Sequence, residues 1–214
     1  MPFDRLKGRK LAASVAALAL AVGLAACSND PLAGQYLEGS NKGYIAANGF
    51  QTKEWAPGDR GDAVEFEGTL DSGATASSDD YAGKVLVVNF WYANCGPCIL
   101  EAPHLEEASE AVAGDDVAFL GVNIYDQAST AQSFARDNGV SYPSLMAVDD
   151  ANLKLAFQQH TSLRAVPTTL VLDAEGRVAA RLIGSLTEAS ILETIVRDVA
   201  AESTAAEDPD VGTS

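Results

Sequence analysis

Cysteine is scarce in this chain: Cys27, Cys95 and Cys98 are the only three in 214 residues. Three cysteines cannot make a four-cysteine zinc site. Cys95 and Cys98 are also too close in sequence to close a long stabilising loop. Histidine is scarcer still, and His104 and His160 lack the short spacing of a zinc-binding pair. Basic residues are few: 14 Lys and Arg stand against 30 Asp and Glu, a formal charge of −16. Such a surface repels a phosphate backbone, which excludes nucleic acid as a partner. It offers no attraction to anionic lipid, so any membrane attachment must be covalent or hydrophobic. Its general effect is to keep the domain in solution. No internal repeat is present.

What is present begins with a basic stretch, Arg5, Lys7, Arg9 and Lys10, followed by an uncharged apolar run from Leu11 to Ala26. This is the layout of a secretory signal. The run is shorter than the ~20 residues that a spanning helix needs. Its ending, Leu24-Ala25-Ala26-Cys27, resembles the lipobox of bacterial lipoproteins, in which the signal is removed before a cysteine that then carries lipid. The rival readings are an uncleaved anchor and a chance cysteine after an ordinary cleavage site. All three put the domain outside the cytoplasm. Residues 28–43 are rich in Gly, Asn and Ser and read as part of a flexible tether, 27–43. Residues 202–214 read as a disordered acidic tail, leaving 44–201 as one domain. A domain of that size buries enough surface to fold without a disulfide or a metal.

Within the domain, Tyr44–Ala56 and Ala63–Leu70 read as strands of a hairpin-like N-terminal extension. Lys84–Trp91 is continuously apolar apart from Lys84 and Asn89, which suits a strand buried on both faces. A helix is expected from Pro97 to Val112, a second buried strand over Val117–Ile124, and a helix over Thr130–Asn138 stopped by Gly139. Tyr142–Val148 reads as a short strand and Ala151–Gln158 as a short helix. Thr168–Asp173 and Arg177–Ile183 flank a turn at Ala174-Glu175-Gly176, and Thr187 opens a last helix to about Ala201. This alternation predicts an α/β fold with a mixed central sheet flanked by helices.

Cys95-Gly96-Pro97-Cys98 sits where a buried strand hands over to a helix. Residues i and i+3 at a helix N-terminus are close enough to share a disulfide. The first sulfur faces free backbone N–H groups and the positive end of the helix dipole, which favour the thiolate that attacks disulfides. Pro97 fits because its missing N–H has no partner in a helix's first turn. Cys95 is therefore expected to be the exposed nucleophile and Cys98 the resolving thiol beneath it. Four other readings of the pair stay open: a structural bridge, half of a zinc site, a copper site, and a thiol peroxidase. Upstream of Cys95 there is neither the Pro nor the Thr that a peroxidatic cysteine needs. Metal content would separate a copper-binding module from a redox enzyme.

Val87 to Cys98 resembles the active-site strand and turn of thioredoxins, and Val166-Pro167-Thr168-Thr169 resembles their cis-proline loop. A longer stretch between the two motifs, the pattern Cys95, Cys98, Glu101, Pro103, and the lipoprotein signal resemble the TlpA/ResA subfamily. That resemblance implies a thioredoxin-like fold with a central insert, and a membrane-tethered thiol:disulfide reductase, several of which serve cytochrome c maturation. It implies protein disulfides as substrates, a membrane thiol-transferring electron donor, a monomer, no cofactor and no metal. It implies a cis bond before Pro167, with the Val166 backbone presented to a bound peptide. Trp91, Gly96 and Pro97 join Val166 and Pro167 as candidate substrate-binding residues, with Trp91 either core or rim. Three positions depart from thioredoxins: Asn94 stands where Trp is usual, Asn89 where the buried Asp is, and Gly121 where its Lys partner is. Glu101, one helical turn after Cys98, is then the candidate proton acceptor, unless it is an ordinary solvated glutamate. Pro103 is expected only to kink its helix, His104 and His160 to be plain surface groups, and Arg164 has no assigned role.

Overall fold

The computed structural model of the chain describes residues 44–45, 49–114 and 116–207. The signal, Cys27, the tether and residues 208–214 lie outside them. In chain order the strands are β1 (Tyr44–Ile45), β2 (Gln51–Glu54), β3 (Glu67–Thr69), β4 (Thr75–Ser77), β5 (Val85–Trp91), β6 (Val117–Asn123), β7 (Ser144–Met146), β8 (Thr168–Leu172) and β9 (Val178–Ile183). The α-helices are α1 (Gly96–Ala111), α2 (Ala128–Asn138), α3 (Ala151–Gln158) and α4 (Ala189–Glu207). Seven strands form one sheet in the order β1-β2-β9-β8-β5-β6-β7, while β3 and β4 pair separately. β5, β6 and β7 run parallel, and β8 and β9 run antiparallel to their neighbours, so the sheet is mixed.

β5 lies at the centre because its residues can be buried on both faces, and all seven are. The two-residue period of the strand sends Val85, Val87, Asn89 and Trp91 to one face and Leu86, Val88 and Phe90 to the other. Val85 and Val87 pack with Leu105 and Ala108 of α1 and with Leu192, Ile195, Val196 and Val199 of α4. Leu86, Val88 and Phe90 pack with Leu153 and Phe157 of α3 and with Phe66 and Ala76 beside the small sheet. The Phe90 and Phe157 rings meet edge to face at 5.1 Å. Each such side chain contributes roughly 1.5–3 kcal/mol by leaving water. Asn89 and Trp91 thus point, on a face built for hydrocarbon, toward the start of α1.

Gly139 ends α2 in the left-handed conformation, φ 73°, as its placement after the last helical residue predicted. Strand β7 and helix α3 fill the stretch between α2 and β8, which is the expected central insert. Two readings of the sequence need correction. The segments 44–56 and 63–70 do not pair with each other. β2 instead adds to the main sheet along β9, and β3 pairs with β4. The last helix starts at Ala189 rather than Thr187 and runs to Glu207, six residues into the stretch read as disordered. Ala and Glu in that stretch favour helix strongly enough to prolong it.

Candidate active site

β5 delivers the chain to a turn, Tyr92 to Cys95, in which Cys95 N–H donates to Tyr92 O at 3.2 Å. Cys95 is the N-cap of α1, and its sulfur accepts the Cys98 N–H at 3.2 Å, as a Ser or Asp oxygen does at other helix starts. A disulfide joins Cys95 to Cys98 with the Cα atoms 5.2 Å apart. Gly96 and Pro97 between them are exposed. The expected exposure of Cys95 is not found: both cysteines are 2% exposed. In the disulfide form the Cys95 sulfur turns inward, toward Cys98 and its N–H, so burial does not separate the two sulfurs. The N–H donated to Cys95 does.

Trp91 lies beneath the pair, 4% exposed, with its ring 4.3 Å from that of Phe134 and its Nε1–H donating to Ser144 Oγ at 3.3 Å. It belongs to the core cluster that contains both cysteines. A residue so enclosed supports the site from below, which is the core placement of the two that the sequence left open.

Glu101 is not solvated. It is 1% exposed, with Oε1 accepting from Asn89 Nδ2 at 2.8 Å and Oε2 from the Leu186 N–H at 3.0 Å. Burial pushes its carboxyl up to about 7, against the two hydrogen bonds that favour the charged form. Asn89 also donates to Thr169 Oγ1 of β8 at 3.2 Å. Asn89 and Gly121 are direct partners across the β5–β6 pair. A Cβ on Gly121 would run into Ser144 Oγ and come within 2.8 Å of Trp91 Nε1. The strand pair that carries an acid and a lysine in thioredoxins therefore carries an amide and a bare backbone here. The buried carboxylate is supplied by the helix instead. A cavity of about 10 Å³ lies between Asn89, Trp91, Cys98 and Tyr142.

The Val166–Pro167 bond is cis, as the resemblance implied, with Pro167 buried and Val166 half-buried. The loop after β9 ties three parts of the site together. Gly184 N–H donates to Pro167 O at 2.9 Å, Ser185 Oγ–H to Pro97 O at 3.0 Å, and Leu186 N–H to Glu101. Beside it opens a groove of about 600 Å³ lined by Phe50, Pro97, Leu100, Val166, Pro167 and Leu186, among others. Sequence reasoning missed Ser185 and Leu186. Leu186 acts through its backbone N–H, which no side-chain pattern announces; Ser185 acts through a hydroxyl on a short loop, with only its polarity as a signal. His104 is half-exposed and faces Glu107 at 3.9 Å, and partial burial lowers the pKa of His160. Among the described residues no group of three or more His, Cys, Asp or Glu is placed to hold a metal ion.

A disulfide that closes so short a loop adds less to stability than a long-range one, and its place at a helix start suits it to exchange. Set at a helix start opposite a cis-proline loop on this sheet, it defines a thiol–disulfide oxidoreductase of thioredoxin-like fold. The chain belongs to the Redoxin family, whose model matches residues 56–196. Among its relatives, the thiol:disulfide interchange protein HelX of Rhodobacter capsulatus is 30% identical over 161 residues, covering 72% of this chain and 87% of its own length. The thiol-disulfide oxidoreductase ResA of Geobacillus kaustophilus is 28% identical over 149 residues, covering 70% and 83%. The crystal structure of a DsbF homologue from Corynebacterium diphtheriae superposes with a TM-score of 0.61 at 28% identity, covering 74% of this chain and 99% of that one.

Proposed function

We propose that this protein reduces protein disulfides outside the cytoplasm, held on the outer face of a bacterial cell membrane by lipid on Cys27, and that its pathway is cytochrome c maturation. The observation that carries the reading is the Cys95–Cys98 pair at the start of α1 with Glu101 buried in the next turn. The resemblance to the TlpA/ResA subfamily supports the pathway. The uncharged run ending at Cys27 supports the anchor.

The reaction runs in two exchanges. Cys95 thiolate, held by the Cys98 N–H and the helix dipole, attacks one sulfur of a substrate disulfide; a mixed disulfide forms and one substrate thiolate leaves. Cys98 then gives its proton to the Glu101 carboxylate and attacks the Cys95 sulfur, releasing the second substrate thiolate. The substrate gains two electrons and the protein becomes the disulfide. A buried carboxyl with a pKa near neutrality suits that proton transfer, because it changes state readily at ambient pH. The substrate peptide lies along Val166 and Pro167 over Gly96 and Pro97. Gly96-Pro97 is the dipeptide of thioredoxin, whose potential is about −270 mV, which supports the reducing direction. The protein works as a monomer without cofactor, and a membrane thiol-transferring partner restores its dithiol.

The full-length Cys98→Ala variant is expected to accumulate mixed disulfides with partner proteins, and the Cys95→Ala variant is not. In a glutathione buffer series the wild-type midpoint should lie well below the roughly −180 mV of an isomerase; a more positive value makes the protein an oxidant and overturns the reductase reading. Cys27→Ala should leave the membrane fraction or stall as a precursor. Normal processing with unchanged membrane association would sink the lipid anchor.

A further inference from the structure

Asp126 belongs to neither cysteine's immediate surroundings, yet it is tied to the turn that presents them. Tyr92 to Cys95 is a four-residue turn closed by the Cys95 N–H on Tyr92 O. In such a turn the N–H of the second residue, here Ala93, has no partner within the turn. Asp126 Oδ2 takes it at 2.6 Å, the short distance of a charge-assisted bond.

The carboxylate is itself fixed. The same Oδ2 accepts from Asn123 Nδ2 at 2.9 Å. Asn123 is fully buried, and its Oδ1 accepts the N–H groups of Tyr125 at 3.2 Å and Asp126 at 2.8 Å. Its backbone stands opposite Trp91 in the β5–β6 pair, and its carbonyl accepts from Ala147 N–H at 2.8 Å. Asn123 is therefore locked in the sheet, and Asp126 is locked to Asn123. Ile124 N–H, donating to Trp91 O at 3.1 Å, clamps the residue just before the turn from the same loop. From the sheet outward, the order is Asn123, Asp126, Ala93, turn, Cys95.

The geometry points to Asp126 as a positioning residue that sets the redox equilibrium of the Cys95–Cys98 pair by holding the Tyr92–Cys95 turn. It touches no reacting atom. Its effect is on closure: Cys98 is fixed in α1, so the chance that the Cys95 sulfur meets it depends on how tightly the turn is held. Preorganisation of two groups raises their effective concentration toward each other, and for two thiols that favours the disulfide. The bond to Ala93 involves no cysteine atom, so it can bias the pair without taking part in the exchange. This holds for either direction of electron flow, and does not depend on the reductase reading.

The test uses the full-length protein. Wild type, Asp126→Ala and Asp126→Asn are equilibrated in one glutathione series, and the dithiol fraction is read by thiol trapping. Asp126→Ala should shift the equilibrium about tenfold toward the dithiol, which is about 30 mV more positive. Asp126→Asn, which keeps an acceptor oxygen without the charge, should stay within about threefold of wild type. A purely structural role would lower the melting temperature of both redox forms alike and leave the equilibrium where it was. Asp126→Ala within twofold of wild type overturns the proposal, as does Asp126→Asn matching Asp126→Ala, which would make the effect one of charge. Should Asp126→Ala fail to fold, amide exchange of Ala93 in the unmodified protein decides: protection is expected, and exchange at the rate of a free loop amide refutes it. The reductase reading rests on the wild-type midpoint, and this proposal on the difference between variant and wild type.

Discussion

Ile99 and Leu100 are 43% and 71% exposed, while Cys98 and Glu101, their neighbours on either side in sequence, are 2% and 1% exposed. The first turns of α1 therefore put hydrocarbon in water and a carboxyl in the core. Helix α4, on the same side of the sheet, does the usual thing, burying Leu192, Ile195, Val196 and Val199. The contrast separates a helix that serves stability from one whose opening serves chemistry. Burying a carboxyl is costly unless it is bonded or neutral. Glu101 is bonded to Asn89 and Leu186, and its pKa near 7 leaves it partly neutral. Leaving Leu100 outside keeps an apolar wall on the groove beside Pro97 and Pro167.

The inner face should be the more sensitive. Glu101→Gln is expected to slow resolution of the mixed disulfide by roughly 10²-fold, the scale of lost base assistance, and to remove the inflection near pH 7 from the rate. An unchanged pH–rate profile would reduce Glu101 to a structural residue. The same variant tests the energetic side. The folded value, about 7, lies above the ordinary 4.5. The folded protein thus keeps a proton that the unfolded chain releases, and its stability falls as pH rises between those two values. The loss is on the order of 3 kcal/mol. Glu101→Gln should abolish that slope across pH 4.5 to 7 in denaturant titrations, although one of its two N–H donors loses an acceptor at every pH.

A smaller effect is expected one strand away. Gly121→Ala forces Ser144 or Trp91 to move and should cost about 1–3 kcal/mol by overpacking, with Trp91 fluorescence altered in both redox forms. A neutral result would mean that the floor of the site yields easily. The smallest effect belongs to the outer face. Leu100→Ser should leave stability within about 0.5 kcal/mol and raise KM for a protein disulfide a few-fold. A melting point shifted as far as that of Gly121→Ala would erase the distinction between the faces.

The chemistry of the site was legible in short stretches. The run from Val85 to Trp91, the pair Cys95 and Cys98, the cis-proline loop and the stop at Gly139 each depend on residues adjacent in the chain. Pairings at long range were not legible. Nothing in Gln51–Glu54 says that it will run along β9, because a strand with one buried anchor, Phe50, does not specify its partner. The identity of Glu101 as a buried group depends on the Leu186 N–H, 85 positions away. The burial of Cys95 is that of the disulfide form, and the sequence carries no redox state.

The disulfide bridges a sequence separation of three. A cross-link that short limits the unfolded chain by roughly 2 kcal/mol, less than a long one does, and by the same amount in every variant of the site. A thermodynamic cycle then links two quantities usually measured apart. The difference in folding stability between the oxidised and reduced protein is nF times the difference between the disulfide's potential in the folded protein and in the unfolded peptide. With the cross-link's own contribution a fixed offset, changes in that stability gap become a calorimeter for the site. Whatever Asn89, Glu101, Leu186 and the helix start do to favour one redox state reappears, in full, as a difference between two melting curves.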